Sequence, residues 1–238
     1  MGLRILIVGA RGLVGQGALK VALNAQPSIE RVGLLLRQEV SGLNPENEAP
    51  ENTKTGQLRP AVQTWVIPAF TPEALLALDL SGFDACWYGA GTLPMGQSSA
   101  KYRAVTVDVT VNVAKAFAAA NPGARFLYVS GLGANAASPL MPMRVKGEAE
   151  EALQSLNLQV CSLRPGVVQP VQGVRSMHPL RDVLYRAVGP VMNLASPFLK
   201  GQFTTTELLG RAMLKLSQPE RPLPLVLENR QINDLGKI

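Results

Sequence analysis

Hydrophobic positions along this chain come in two alternating patterns: short continuous apolar runs bounded by glycine or proline, and longer stretches with apolar residues at helical spacing. Residues 3–8, Leu-Arg-Ile-Leu-Ile-Val, are the first apolar run, and such a run suits a strand buried on both faces. From Gly12 to about Asn24 the spacing turns helical. A second strand is predicted over 31–36, ending at Arg37, and a third over Val62–Ile67. Thr71 and Pro72 mark a helix start that runs to about Ser81-Gly82. The fourth strand is Phe83–Tyr88, followed by a long helix from about Ser98 to Ala120, which stops at Asn121-Pro122-Gly123. The fifth strand is Arg125–Val129, reaching Ser130, then a helix from about Met143 to Leu156. The sixth is Gln159–Leu163, stopped by Arg164-Pro165-Gly166. Residues 38–60 hold little that can build a core and read as a loose loop or hairpin.

Strands alternating with helices predict an α/β fold, a doubly wound parallel sheet with helices on both faces. The regular pattern covers 1–168, the expected core. Residues 169–238 are less regular, with one clear helix at about Thr205–Ser217, and read as a small C-terminal substrate or lid segment returning to that core. The 238 residues fit a single structural domain, and 47% hydrophobic content argues against disorder.

Charge changes the picture little. The formal net charge is +6, but the Lys and Arg residues are scattered, so an anionic cofactor or substrate explains the sign better than nucleic acid, which is not expected as a partner. A single histidine, His178, and the lack of a CxxC pair argue against a metal site. Cys86 and Cys161 lie in apolar runs and read as buried thiols, so a cytosolic location follows as the default. Gly9 and Arg11 cut short the apolar start, so no signal peptide is expected, and no run has the length of a bilayer span.

The chemistry begins at Gly9-Ala10-Arg11-Gly12-Leu13-Val14-Gly15, which follows a strand and opens a helix. Gly9 allows a tight turn, Gly12 lets backbone approach phosphate, and Gly15 lets the helix pack close to the sheet. The helix N-terminus then offers N–H groups and a positive dipole end to a pyrophosphate. The loop therefore predicts a dinucleotide-binding Rossmann unit. At the end of strand two, where a carboxylate would bind the ribose 2′-OH of NAD, stands Arg37, which suits a 2′-phosphate, and Arg11 can add a second cation. NADP(H) is the expected cofactor, with NAD as the alternative. Gly89-Ala90-Gly91 after strand four leave room for ligand at the strand end, or form a simple turn.

Three further segments carry a resemblance: Phe126–Ala134, Val145-Lys146-Gly147-Glu148-Ala149-Glu150, and Leu163-Arg164-Pro165-Gly166-Val167-Val168. With the glycine motif they cover residues 3–168 and resemble the atypical short-chain dehydrogenase/reductases, in their NmrA-like branch, which includes proteins like the human Tat-interacting protein and sugar-nucleotide-epimerase-like bacterial homologues. The resemblance implies a catalytic serine, tyrosine and lysine, with Ser130 binding the substrate oxygen, and Lys146 holding the nicotinamide ribose and tuning the phenol. It also places Pro165, Gly166 and Val167 against the cofactor. Ser130 and Lys146 match the pattern, but Pro142 stands where the tyrosine belongs, four residues before Lys146. Proline cannot transfer a proton.

Three readings follow: another tyrosine (Tyr102 or Tyr185) substitutes; Ser130 and Lys146 act alone; or the chain binds the dinucleotide as a sensor or scaffold with weak or absent oxidoreductase or epimerase activity. Tyr128 shares a strand face with Ser130 and reads as core, as do Trp65 and Trp87. Asp84 and Asp108 read as structural, and Asn112 as a residue able to bond backbone near the site. The apolar stretch Leu180–Leu199 can be a lid, a dimer face or a membrane-surface element. The partner is a small-molecule substrate, another protein or a second copy of the chain.

Overall fold

The computed structural model describes residues 2–25, 27–39, 60–171 and 202–237. Leu3–Val8 forms β1 and Leu13–Leu23 forms α1, followed by β2 (Ile29–Leu36) and β3 (Ala61–Val66). Next come α2 (Pro72–Leu76), β4 (Ala85–Tyr88), α3 (Ser99–Arg103), a π-helical turn (Ala104–Asp108) and α4 (Val109–Ala120). Then follow β5 (Arg125–Val129), α5 (Met141–Gln154), β6 (Gln159–Arg164) and β7 (Val167–Gln169). The C-terminal part supplies β8 (Phe203–Thr205), α6 (Thr206–Leu216), β9 (Val226–Glu228) and α7 (Asn229–Lys237).

The main sheet runs β3-β2-β1-β4-β5-β6-β9, and every pairing is parallel. This is the doubly wound α/β sheet expected from the sequence. Alternation along β1 shows why both faces are covered. Ile5 and Ile7 pack into one apolar cluster with α1 and α6, while Leu6 and Val8 pack into the other with α4 and α5. Strand order reverses between β1 and β4, and the crevice at their carboxyl ends is where such folds bind ligands.

Several boundaries differ from the sequence reading. Helix α2 stops at Leu76 rather than near Ser81, because Asp79 accepts the Ser81 N–H at 3.0 Å and turns the chain. Helix α5 starts at Met141, not Met143, so Pro142 lies in its first turn, where a fixed φ and a missing N–H suit the helix start. The predicted single helix 98–120 is present but carries the π turn in its middle. Strand β9 and helix α7 went unpredicted. They matter because β9 extends the main sheet beside β6. The loop expected over 38–60 lies outside the described residues from 40 to 59, and so does the apolar stretch Leu180–Leu199, with Tyr185 and His178. No helix among the described residues is long and apolar enough to cross a membrane.

Candidate functional site

The glycine loop sits at the switch point, wedged between α1 and the end of β4. Gly9 has φ +88°, a left-handed conformation that suits glycine. A Cβ on Gly9 would lie 2.5 Å from the Ala90 nitrogen, so the loop packs directly on Gly89-Ala90. A Cβ on Gly15 would lie 2.5 Å from the Gly9 carbonyl carbon, so α1 approaches the loop backbone to backbone. The turn is closed by the Gly12 N–H donating to the Gly9 carbonyl at 2.9 Å. Gly12, as N-cap, brings no side chain to the first N–H groups of α1, and no acidic residue occupies that turn. Those N–H groups lack intrahelical acceptors and can donate to an anion lying over Ala10, Leu13 and Val14. Around Gly91 a Cβ would meet nothing within 4 Å, so the end of β4 is open.

Arg37 follows β2, is exposed and has no hydrogen-bond partner among the described residues. Arg11 reaches the same strand end, where its Nη1 donates to Gln38 Oε1 at 2.5 Å. The structure thus brings both cations to the end of β2.

On the other side of the switch point, β5 and β6 end at a cavity of about 350 Å³. It is lined by Val14, Val129, Ser130, Gly131, Leu132, Pro165 and Gly166, with Val167, Val168 and Gln202 completing the wall. Ser130 is 7% exposed, and its Oγ has no hydrogen-bond partner.

Lys146 lies on α5 one turn beyond Pro142, on the same helix face. The residue is half-buried, but its Nζ is enclosed: it donates to the Val129 carbonyl at 3.1 Å and sits 5.0 Å from the centre of the Tyr128 ring. Burial pulls its pKa down to about 8, and Glu150 one turn on only partly offsets this. A test in stability follows. Below pH 8 the folded state carries the cost of a buried ammonium. Between about pH 8 and 10.5 the folded chain has released the proton while the unfolded chain still holds it, so stability should rise with pH, by up to about 3 kcal/mol. Urea denaturation of the wild type and Lys146→Met at pH 7.5 and 10 should show this increment only in the wild type; equal pH dependence would contradict the burial argument.

Of the two tyrosines expected to substitute at the site, Tyr185 lies outside the described residues and Tyr102 is engaged elsewhere. Tyr102 is 3% exposed, within the core cluster on the α4–α5 face, and burial pushes its phenol up. Tyr128 is fully buried in the same cluster, its hydroxyl unpartnered and its pKa driven up by burial. Tyr88 is also buried there, its hydroxyl accepting from Thr110 Oγ1 at 3.1 Å. Burial likewise pushes the Cys161 thiol up to about 12 and raises Cys86, so neither serves as a nucleophile. Asp84 pairs with Arg4 and Asp108 with Arg103, while Asn112 donates to the Phe70 carbonyl at 3.3 Å. Among the described residues no His, Cys, Asp and Glu group is arranged to hold a metal ion.

Sequence reasoning missed the support behind the cavity. Asn229 at the start of α7 accepts the Gly166 N–H at 2.8 Å and donates to the Phe203 carbonyl at 3.0 Å. Asn233, one turn on, donates to the same carbonyl at 2.6 Å. These two asparagines tie the turn after β6 to β8, and an Asn-x-x-x-Asn pair on a helix was the only available signal. Arg164 forks onto Glu150 at 2.6 and 3.0 Å and reaches Glu228 at 3.1 Å, locking β6 to α5 and β9.

No protein-family model matches the chain. Protein FMP52, mitochondrial, of Eremothecium gossypii is 30% identical over 165 residues, 68% of this chain but only 65% of that protein. Protein FMP52-1, mitochondrial, of Scheffersomyces stipitis is 23% identical over 237 residues, 97% of each chain. Five such relatives carry mitochondrial names, which overturns the cytosolic location expected from the sequence; buried free thiols suit any reducing compartment and never discriminated between them. Among solved structures, the Bordetella bronchiseptica enzyme WbmG in complex with NAD superposes with a TM-score of 0.62 at 19% identity, over 100% of this chain and 77% of that one. The dTDP-glucose 4,6-dehydratase DesIV of Streptomyces venezuelae, with NAD bound, gives 0.61 at 17% identity, over 98% and 80%. With these enzymes the chain shares its fold, the parallel, doubly wound Rossmann-type sheet.

Proposed function

We propose that the chain binds NADP(H) as an atypical short-chain dehydrogenase/reductase-like protein of the NmrA-like type, and that it acts as a cofactor-binding sensor or scaffold with little or no turnover. The observation that carries the reading is the glycine loop, in which Gly9 and Gly15 have no room for a side chain and Gly12 leaves the α1 N-terminus bare. In this reading Gly9, Ala10, Arg11, Gly12, Leu13, Val14 and Gly15 hold the pyrophosphate. Gly89, Ala90 and Gly91 floor the site, and Pro165, Gly166, Val167 and Lys146 hold the nicotinamide end. Arg37 and Arg11 supply the charge for a 2′-phosphate. Residues 1–168 supply the binding residues, and β9 and α6 of the C-terminal part complete the sheet and core around them.

The nicotinamide, when bound, supplies or accepts a hydride. Ser130 orients a substrate oxygen through its free hydroxyl, and Lys146 keeps a positive charge at the end of β5 near neutral pH. No described residue supplies a phenol at the Pro142 position, which is why turnover is weak. A second reading, an active oxidoreductase or epimerase using Ser130, Lys146 and a non-standard acid, draws support from the unpaired Ser130 hydroxyl.

Calorimetric titration tests the first reading. NADPH should bind at least about 10-fold tighter than NADH, and Arg37→Ser should remove about 10- to 100-fold of NADPH affinity while sparing NADH, as expected for one charge-assisted contact of about 1.5–3 kcal/mol. Equal affinity for the two dinucleotides, or none for either, would refute it.

A further inference from the structure

We propose that Glu150 and Arg164 are positioning residues of the dinucleotide site that act through Lys146. By holding the Glu150 carboxylate on itself, Arg164 decides how much of that negative charge reaches the Lys146 ammonium. This rests on the dinucleotide reading, in which Lys146 holds the nicotinamide end. Lys146 and Glu150 stand one turn apart on α5, a spacing that allows a direct ion pair. Instead, the Lys146 Nζ donates to the Val129 carbonyl at 3.1 Å, and the two Glu150 oxygens accept from Arg164 at 3.0 and 2.6 Å. The Glu150 side chain is only 9% exposed, so water screens its charge poorly. That charge is felt at Lys146, where it opposes the effect of burial.

Arg164 has a second acceptor, Glu228 at the end of β9, at 3.1 Å, whose side chain is 47% exposed. The guanidinium is therefore shared between a buried carboxylate that Lys146 feels and an exposed one on the last strand of the sheet. A buried pair that only tied β6 to α5 would be replaceable by packed apolar residues. Set one turn from an enclosed ammonium, this pair also governs a charge.

The other titratable groups on that side of the sheet do not compete. Tyr128 from β5 lies against the Lys146 Nζ, with Tyr88 from β4 and Tyr102 from α3 in the same buried cluster. Burial raises all three phenols, so they stay neutral where Lys146 titrates. The Cys161 thiol of β6, pushed up to about 12, stays neutral too. Arg103 pairs with Asp108 and with Glu148, all with side chains 30% or more exposed, and Lys115 of α4 is exposed.

The experiment follows the pH at which Lys146 gives up its proton. Urea denaturation of each full-length chain across alkaline pH, compared with the same chain carrying Lys146→Met, reads it as the onset of the Lys146-dependent rise in stability. In the wild type that onset lies near pH 8. It should fall by at least about one pH unit in Glu150→Gln and rise by at least about one in Arg164→Met. Glu228→Gln, which leaves the Arg164–Glu150 pair in place, should keep the wild-type onset. NADPH titration over the same range should show affinity declining at a pH shifted in the same directions. An unshifted onset in Glu150→Gln overturns the proposal. That variant keeps an acceptor for Arg164, so it decides even where Arg164→Met does not fold. An equal shift in Glu228→Gln, the mark of a merely structural pair, overturns it too, as does an NADPH profile that stays in place while the onset moves. Shifted onsets in chains that bind no NADPH refute the dinucleotide reading and support the hold of Glu150 and Arg164 on Lys146. NADPH binding with unmoved onsets refutes this proposal alone.

Discussion

Gly15→Ala is expected to cost about 3 kcal/mol of folding stability or more and to abolish dinucleotide binding, an outcome measurable by urea denaturation and by NADPH titration. The added methyl would lie 2.5 Å from the Gly9 carbonyl carbon and 2.8 Å from the Ala10 Cα. All of these are backbone atoms, which cannot rotate away as a side chain would. The loop cannot retreat either, because Gly9 already rests on Ala90. Relief therefore requires the start of α1 to move outward by about an ångström, the scale of overpacking strain in a dense interior. That movement displaces the N–H groups that face an anion. Gly91→Ala is the matching control: its methyl would meet nothing within 4 Å, so stability should stay within about 0.5 kcal/mol of wild type. A wild-type denaturation midpoint in Gly15→Ala would contradict the packing argument.

The core of this fold was readable because β1, β4, β5 and β6 are each both apolar and bounded. Leu3–Val8 ends at Gly9, and Gln159–Arg164 ends at Pro165-Gly166, so period and punctuation agree. Strand β9 has three residues and alternates no apolar pattern of its own; its place comes from tertiary pairing with β6, which sequence spacing does not carry. The glycine loop was legible because its function depends on backbone geometry that only one residue type permits. Arg37 was legible as a position at a strand end. What escaped were groups whose meaning depends on three-dimensional neighbours. Asn229 and Asn233 reach across more than twenty residues to Phe203. The tyrosines illustrate the converse error. Tyr102 was a candidate acid by its position early on a helix, but its ring is core, packed with Tyr88 and Tyr128 behind β4 and β5.

Pro142→Tyr is expected to raise NADPH-dependent reduction of a neutral ketone by about 100-fold or more, the contribution of one positioned general acid. Pro142 occupies the first turn of α5, four residues before Lys146, so a side chain there projects from the same helix face as the lysine. The Lys146 ammonium, fixed at 3.1 Å from the Val129 carbonyl, lies at the end of β5, where Ser130 follows with its hydroxyl unpaired. A phenol brought between them gains a cationic neighbour, which lowers its pKa and favours proton transfer near neutral pH. The substitution gives up the preset φ of proline at the helix start, a loss of about 0.4–1 kcal/mol that an otherwise stable fold tolerates. Pro142→Phe separates chemistry from packing, because it places a similar ring at the same point without an ionisable group. If Pro142→Tyr and Pro142→Phe turn over ketone equally, the missing phenol is not what limits this chain. If only the tyrosine variant gains, and NADPH affinity is the same in both, then the remaining constellation is a reductase site lacking one proton donor, and the wild-type chain keeps its cofactor for binding.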